Sequence, residues 1–348
     1  MKILKKFLIF IMTLVIIIIL PIEIFKNNVC ANSNFNKKAP IKIAVFLHSY
    51  DDYLSLVKQN LETIQKENPD KVEFTFFNAK ENQTIQNASI DKALTENFDV
   101  FIVNLHTLKL DEVGSILNKI IKENMPLILL GEPDENLIRF VGRYGVFIAS
   151  QGKESGIIEG NILANEWNTN KQYIDKNNDN ILQYIMLKGR IGDPIVDQRT
   201  NYSILALNES GIKTEELTSF NGEWSKDLAK EAIESLFLKY GNKIEAIISN
   251  NDAMAIGAIE ALQKYGYNKG NKSMSIPVVG IDGLPEAIEL VNKGYMTGTV
   301  IQDAQANAEA LYNIGMNLAY KKPPLENTDY KFDDTGVVIR LPYKEYKK

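Results

Sequence analysis

From residue 41 onward, short apolar runs alternate with longer amphipathic stretches. Ile41 to Leu47 reads as a strand. From Tyr53, the residues Leu54, Val57, Leu61 and Ile64 recur at helical spacing. A strand at 72–77, a helix at 85–96, a strand at 100–104, a helix at 111–123 and a strand at 126–130 follow. The rhythm returns with a strand at 182–187 and a helix after it. Then come strand 213–219, helix 225–239, strand 244–249 and helix 252–265. Strand 277–281, helix 284–292, strand 297–301 and helix 303–319 close the series. Nearly wholly apolar strands separated by helices predict parallel sheets covered on both faces. The series is too long for one compact open sheet, so it predicts two α/β lobes. No stretch is low-complexity and no short tandem repeat is present.

The first residues have a different character. Lys2, Lys5 and Lys6 precede Phe7 to Leu20, which is apolar except for Thr13. Val29-Cys30-Ala31 then offers modest and small residues at the −3 and −1 positions of a cleavage site. This is the layout of a secretory signal peptide over 1–31. Two other readings stay open. Phe7 to Phe25 is long enough to act as an uncleaved membrane anchor. Cys30 is a conceivable lipid attachment site, although Asn27-Asn28-Val29 lacks the apolar and small residues usual before one. All three readings place residues 32–348 outside the cytoplasmic membrane, in a periplasm or at the cell surface.

Composition narrows the class. The chain has 348 residues, 45% hydrophobic and 24% charged, which suits a globular protein and excludes disorder or a multi-span membrane protein. One Cys excludes an intramolecular disulfide and a Cys-built zinc site; two His, His48 and His106, leave little for a His-rich metal centre. A net charge of −5 argues against nucleic-acid binding. No positioned acid, base and nucleophile group together, so the chain reads as a non-enzyme.

In open parallel sheets, ligands sit outside the carboxyl ends of the strands. Tyr50-Asp51-Asp52, Asn250-Asn251-Asp252 and Asp282 all fall just there. Singly, each suits a helix cap; together they predict a shared polar crevice. A second polar cluster is the loop Asp175 to Gln183. Asp175, Asn177 and Asp179 occupy positions 1, 3 and 5, Ile181 offers a carbonyl at position 7, and Gln183 an amide oxygen at position 9. This oxygen-rich alternation suits Ca²⁺, and the competing reading is a solvated Asn/Asp turn. Asn180 stands where such loops carry Gly, and Met186 where they carry a bidentate Glu, so a further carboxylate must come from elsewhere.

These segments resemble the periplasmic galactose/glucose-binding protein family of the type I periplasmic binding protein superfamily. The telling stretches are Tyr50-Asp51-Asp52, Lys153-Glu154-Ser155-Gly156-Ile157-Ile158, Asp175 to Gln183, Gly211 to Glu215, Asn250-Asn251-Asp252-Ala253-Met254-Ala255, Ile281-Asp282-Gly283-Leu284-Pro285-Glu286-Ala287 and Gly298-Thr299-Val300. The resemblance runs from about Ile41 to Tyr343. It implies two Rossmann-like lobes with parallel sheets, joined by a three-strand hinge that crosses near 149–151, 297–302 and 337–341. The N-terminal lobe would comprise 40–149 plus 302–337, and the C-terminal lobe 150–298 plus 338–348. It also implies Glu245 as the missing ligand of a structural Ca²⁺.

For the sugar, the resemblance implies contacts from Asp52, Arg199, Trp224, Asn251 and Asp282, which match the family's residue types. Carboxylate, amide and guanidinium groups pair with neighbouring hydroxyls, and an indole covers the apolar face of a pyranose. Five positions depart from the family: Leu54 for an aromatic wall, Gly131 for Asn, Asp193 for His, Ile195 for Asp, and Gln302 for Asn. The expected ligand is therefore a monosaccharide or small glycoside, with Gly131 and Ile195 making room for a substituent or matching a pentose. His48 reads as a satisfied polar neighbour of the pocket. The resemblance implies a monomer that delivers sugar to an ABC transporter permease; a histidine kinase or chemoreceptor is the alternative partner.

Overall fold

The computed structural model describes residues 39–348. The expected signal segment 1–31, with Cys30, lies outside the described residues. Among the described residues no helix is long and apolar enough to cross a membrane.

The first lobe alternates β1 (Ile41–Leu47), α1 (Asp52–Glu67), β2 (Val72–Asn78), α2 (Gln83–Ala93), β3 (Val100–Val103), α3 (Leu110–Lys122), β4 (Leu127–Leu130), α4 (Glu135–Val141) and β5 (Gly145–Ala149). The second continues with α5 (Gly152–Ile174), β6 (Ile181–Lys188), α6 (Pro194–Glu209), β7 (Lys213–Asn221), α7 (Lys226–Tyr240), β8 (Ala246–Ser249), α8 (Asp252–Lys264), β9 (Val278–Asp282), α9 (Pro285–Lys293) and β10 (Gly298–Gln302). The chain then returns with α10 (Ala304–Ala319) and β11 (Val338–Arg340) before ending in β12 (Tyr343–Lys347). Two six-stranded sheets result, ordered β11-β5-β4-β3-β1-β2 and β12-β10-β9-β8-β6-β7. Every pairing is parallel except β10 with β12.

The apolar strands are buried on both faces, as predicted. In β1, Ile43, Val45 and Leu47 join the core under α1 and α10, while Ala44 and Phe46 join the core under α2, α3 and α4. In the second sheet, Ile185 and Leu187 point into one core, and Leu182, Tyr184 and Met186 into the other. Helix starts carry the expected caps: Asp51 Oδ1 accepts from Leu54 N, Asn82 from Ile85 N, Asp134 from Leu137 N, and Asn251 from Met254 N.

The lobe boundaries differ from those expected. Residues 298–302 belong entirely to the second sheet, where β10 pairs with β9 and β12. Residues 338–340 belong to the first sheet, not to the C-terminal lobe: Val338 pairs with Phe147 and Arg340 with Ala149. The crossings are thus at 150–151, at 303 and at 341–342. Pro342 sits at the last of them, where the missing N–H ends strand pairing.

Candidate functional site

A cavity of about 340 Å³ opens between the lobes. Its walls come from the carboxyl ends of both sheets. The first lobe contributes His48 and Asp51 after β1, Asn104 and His106 after β3, and Gly131 after β4. The second contributes Arg190 after β6, Trp224 after β7, Asn251 after β8, and Asp282 and Gln302 at the ends of β9 and β10. A larger cavity of about 720 Å³ lies wholly within the second lobe, between α5, the 270–277 segment and α9. It holds none of these groups, so the cleft is the candidate site.

Arg199, on α6, is the hub. Its Nη1 donates to the Asn250 carbonyl at 2.7 Å; its Nη2 donates to Gln302 Oε1 at 2.9 Å and to Tyr343 Oη at 3.2 Å. Asp282 Oδ1 lies 3.7 Å from Nη1, and Arg199 Cζ lies 5.8 Å from the centre of the Trp224 ring. Burial opposes the guanidinium charge, but Tyr343 and Asp282 outweigh it and hold Arg199 above its ordinary value. Burial lifts the Asp282 carboxyl well above the ordinary range; Arg199 pulls it down, and Asp252, Asp51 and Asp52 push it up. Glu159 is also wholly buried nearby, and burial lifts its carboxyl well above the ordinary range against the pull of Arg199 and the Ser249 backbone N–H.

The backbone is bent to aim these groups. Glu223 and Trp224 have φ of 50° and 66°, and Asp282 has φ of 135°. Such values are costly for residues with a Cβ and cluster at binding sites. Asn251 caps α8 with Oδ1 and donates from Nδ2 to the Trp224 carbonyl at 3.3 Å, which ties the indole's turn to the helix. Asp252, beside it, is structural: it accepts from Gly283 N, Leu284 N and Thr299 Oγ1.

The expected sugar contacts Leu54, Gly131, Asp193, Ile195, Arg199, Trp224, Asn251, Asp282 and Gln302 all line the cavity. Asp52 does not. It is exposed at the first position of α1, while the preceding Asp51 is turned inward as the cap. Asp193 lines the wall but also caps α6, accepting from Ile195 N. His48 differs from its reading as a satisfied neighbour: its Nδ1 is buried without a hydrogen-bond partner, and burial, Arg190 and His106 lower its pKa to about 3. Among the groups the sequence reading does not name as contacts are Tyr53, Asn104, His106 and Arg190 in the cavity wall and Tyr343 in the hub. Asn104, His106 and Arg190 each follow a strand's carboxyl end, the same positional rule that selected Asp282.

The calcium candidates form a second cluster, far along β6 from the cleft. Asp175 accepts from Asp179 N and Asn180 N, and Asp179 from Ile181 N, Asn177 Nδ2 and Gln183 Nε2. Glu245, from the strand β8 approach, accepts from Lys176 N and Gln183 N. Asn178 and Asn180 take left-handed φ of 61° and 66°, so Asn180 does make the turn usually given to Gly. Gln183 Oε1 is buried with no hydrogen-bond partner. Burial, then Asp175 and Asp179, push the Glu245 carboxyl up to about 7 against its two backbone donors. An orphaned amide oxygen amid gathered carboxylates is a donor set that fits a hard cation. Among the described residues, no group of three or more His, Cys, Asp or Glu side chains is placed to hold a metal ion by itself.

Residues 43–323 match the family model "Periplasmic binding protein domain". This chain belongs to the periplasmic binding protein family. It is 32% identical over 306 residues to the D-galactose/methyl-galactoside binding periplasmic protein MglB of Haemophilus influenzae, covering 87% of this chain and 88% of that one. Its fold is that of an ABC transporter solute binding protein from Bacillus halodurans solved with myo-inositol, with TM-score 0.72, 22% identity, and 89% and 95% of the two chains covered. The fructose binding periplasmic domain of a hybrid two component system shares that fold at TM-score 0.70 and 18% identity, covering 88% of this chain and 91% of that domain. The cleft between the two sheets is where the strand-end rule places a ligand.

Proposed function

We propose that this chain is an extracytoplasmic binding protein that closes its two lobes over a monosaccharide or small glycoside and delivers it to an ABC importer. The observation that carries the reading is the Arg199 hub: one buried guanidinium joins Asn250, Gln302, Tyr343 and Asp282 at the wall of a cleft that both lobes complete. Planar carboxylate, amide and guanidinium groups set side by side match the donor-acceptor pairs of adjacent hydroxyls. A ligand touching both lobes favours the closed arrangement. The 32% identity to a galactose-binding relative supports the sugar class. The fructose-binding neighbour supports a second reading, a sensor that presents its closed form to a signalling partner. On either reading the protein binds rather than transforms its ligand.

The test is a thermal-shift panel of galactose, glucose, methyl-galactosides, xylose, arabinose and ribose. A true ligand at about 100 times its dissociation constant adds roughly 2.7 kcal/mol of stability. A folded protein that responds to none would overturn the neutral-sugar reading.

Trp224 supplies the apolar wall, and Gly189 makes its place. A Cβ on Gly189 would stand 2.2 Å from Trp224 Cζ2. Gly189→Ala therefore displaces the indole. Taking about 0.5–1.5 kcal/mol, the value of an aromatic pair, as the scale of a well-placed ring contact, sugar affinity falls by roughly two- to tenfold. Titration calorimetry on Gly189→Ala, with circular dichroism to verify folding, checks this.

We also assign Asp175, Asn177, Asp179, Gln183, Glu245 and the Ile181 carbonyl to a structural Ca²⁺. Bound there, the ion would cross-link the α5–β6 loop to the approach to β8 and take no part in the cleft.

A further inference from the structure

Most buried polar groups in the cleft have hydrogen-bond partners. Five atoms on cavity-lining residues do not: His48 Nδ1, His106 Nδ1, Arg190 Nη2, Arg199 Nε and Asn104 Oδ1. A buried polar group left unpaired is costly and calls for a partner, whether a water, an ion or a ligand. Four of the five are nitrogens, and the two on arginine can only donate. The carboxylates of the cleft, by contrast, are engaged. Asp51 accepts from Leu54 N and Ser49 Oγ, Asp193 from Ile195 N, and Glu132 is paired with Arg340. Asp282 sits beside Arg199.

Arg190 is the most telling of these groups. It extends from the second lobe, and its Nη1 donates to the His106 carbonyl of the first lobe at 3.3 Å. Its other neighbours are Glu81, 3.7 Å from Nη2, and Glu223, 4.0 Å from Nε, both beyond hydrogen-bond distance. Those two carboxylates are 47% and 38% exposed, whereas Arg190 is 14% exposed. The two acids pair with the Arg190 charge at this longer range, while Nη2 keeps a donor without a hydrogen-bond partner. The two histidines of the chain stand beside it, their rings 6.3 Å apart and edge to face.

We propose that Arg190, His48 and His106 form a carboxylate subsite spanning both lobes, so that the preferred ligand is a sugar acid of the uronic type rather than a neutral hexose. The inference rests on the sugar-binding reading and deepens it. The hub around Arg199 would hold ring hydroxyls, Asn104 Oδ1 would accept one more, and the acid's two oxygens would take the free Arg190 donor and an imidazole N–H. A charge-assisted guanidinium–carboxylate pair of this kind is about twice as strong as a neutral hydrogen bond. A guanidinium that bridges the lobes also makes acid binding and closure one event.

The experiment is calorimetry of the whole mature protein with galacturonate and glucuronate against galactose and glucose. The acid of a pair is expected to bind at least about tenfold more tightly than its neutral parent. Arg190→Gln is expected to bring the two affinities together, and Arg190→Lys to keep part of the difference. Neutral sugars binding as tightly as their acids, or an acid preference that survives Arg190→Gln, would overturn the subsite and leave the sugar reading standing. No response to acids or neutral sugars, from a protein with an unchanged melting curve, overturns both.

Discussion

Arg199→Met is expected to abolish measurable sugar binding and to lower stability without ligand. Three hydrogen bonds leave with the guanidinium, to Asn250, Gln302 and Tyr343, and the buried Asp282 loses its counter-charge. Removing one partner of a buried charged pair typically costs about 3–5 kcal/mol. Truncating a buried hydrogen-bonded charge at a binding site costs about 2–5 kcal/mol of affinity, a loss of roughly thirtyfold or more. Urea unfolding without ligand and calorimetry with it separate the two effects. Adding Asp282→Asn to Arg199→Met is expected to restore part of the stability, since the unpaired acid is then gone, but none of the binding. Affinity within a few-fold of the parent protein would show that the hub is structural and that the ligand lies elsewhere in the cleft.

Calcium removal has the second large expected effect. An ion bound only by the folded chain at about 1,000 times its dissociation constant contributes roughly 4 kcal/mol. For a protein of this size that corresponds to a melting shift on the order of 10 °C. Chelation is expected to produce that fall, and added Ca²⁺ to reverse it. Glu245→Gln is expected to lower the melting temperature in Ca²⁺ and to become insensitive to chelator, while sugar affinity changes little because the loop is remote from the cavity. A melting curve unchanged by chelator would reduce the loop to a hydrogen-bonded Asx turn, held by Asp175, Asn177, Asp179 and Glu245.

The alternation of strand and helix was legible because each parallel strand is buried on both faces and leaves an unbroken apolar run. Val100–Val103 and Leu127–Leu130 are examples. Less legible were α4, a single short stretch of seven residues capped by Asp134, and β11, three residues whose place depends on a partner strand. Residue type cannot reveal which sheet a three-residue strand will join. Val338 could serve either lobe until β5 offers it an edge.

The candidate site divides in the same way. Asn251, Asp282 and the Asp175 loop were legible because position relative to a strand end, or regular spacing, is a local property. Asp51 and Asp52 show the limit: both follow β1, and only the helical geometry of α1 turns the first inward as a cap and leaves the second exposed. Gly189 reads as an ordinary strand-end glycine until the Trp224 indole is found packed against it, 35 residues later in the chain. By itself the sequence determined two α/β lobes, a polar crevice at their strand ends and an oxygen-rich loop, because burial periodicity and local spacing are written residue by residue. Only the tertiary structure decided that Arg190 crosses to His106 and that unpaired donors collect in the cleft, because pairing across lobes depends on where separate elements of the chain come to rest.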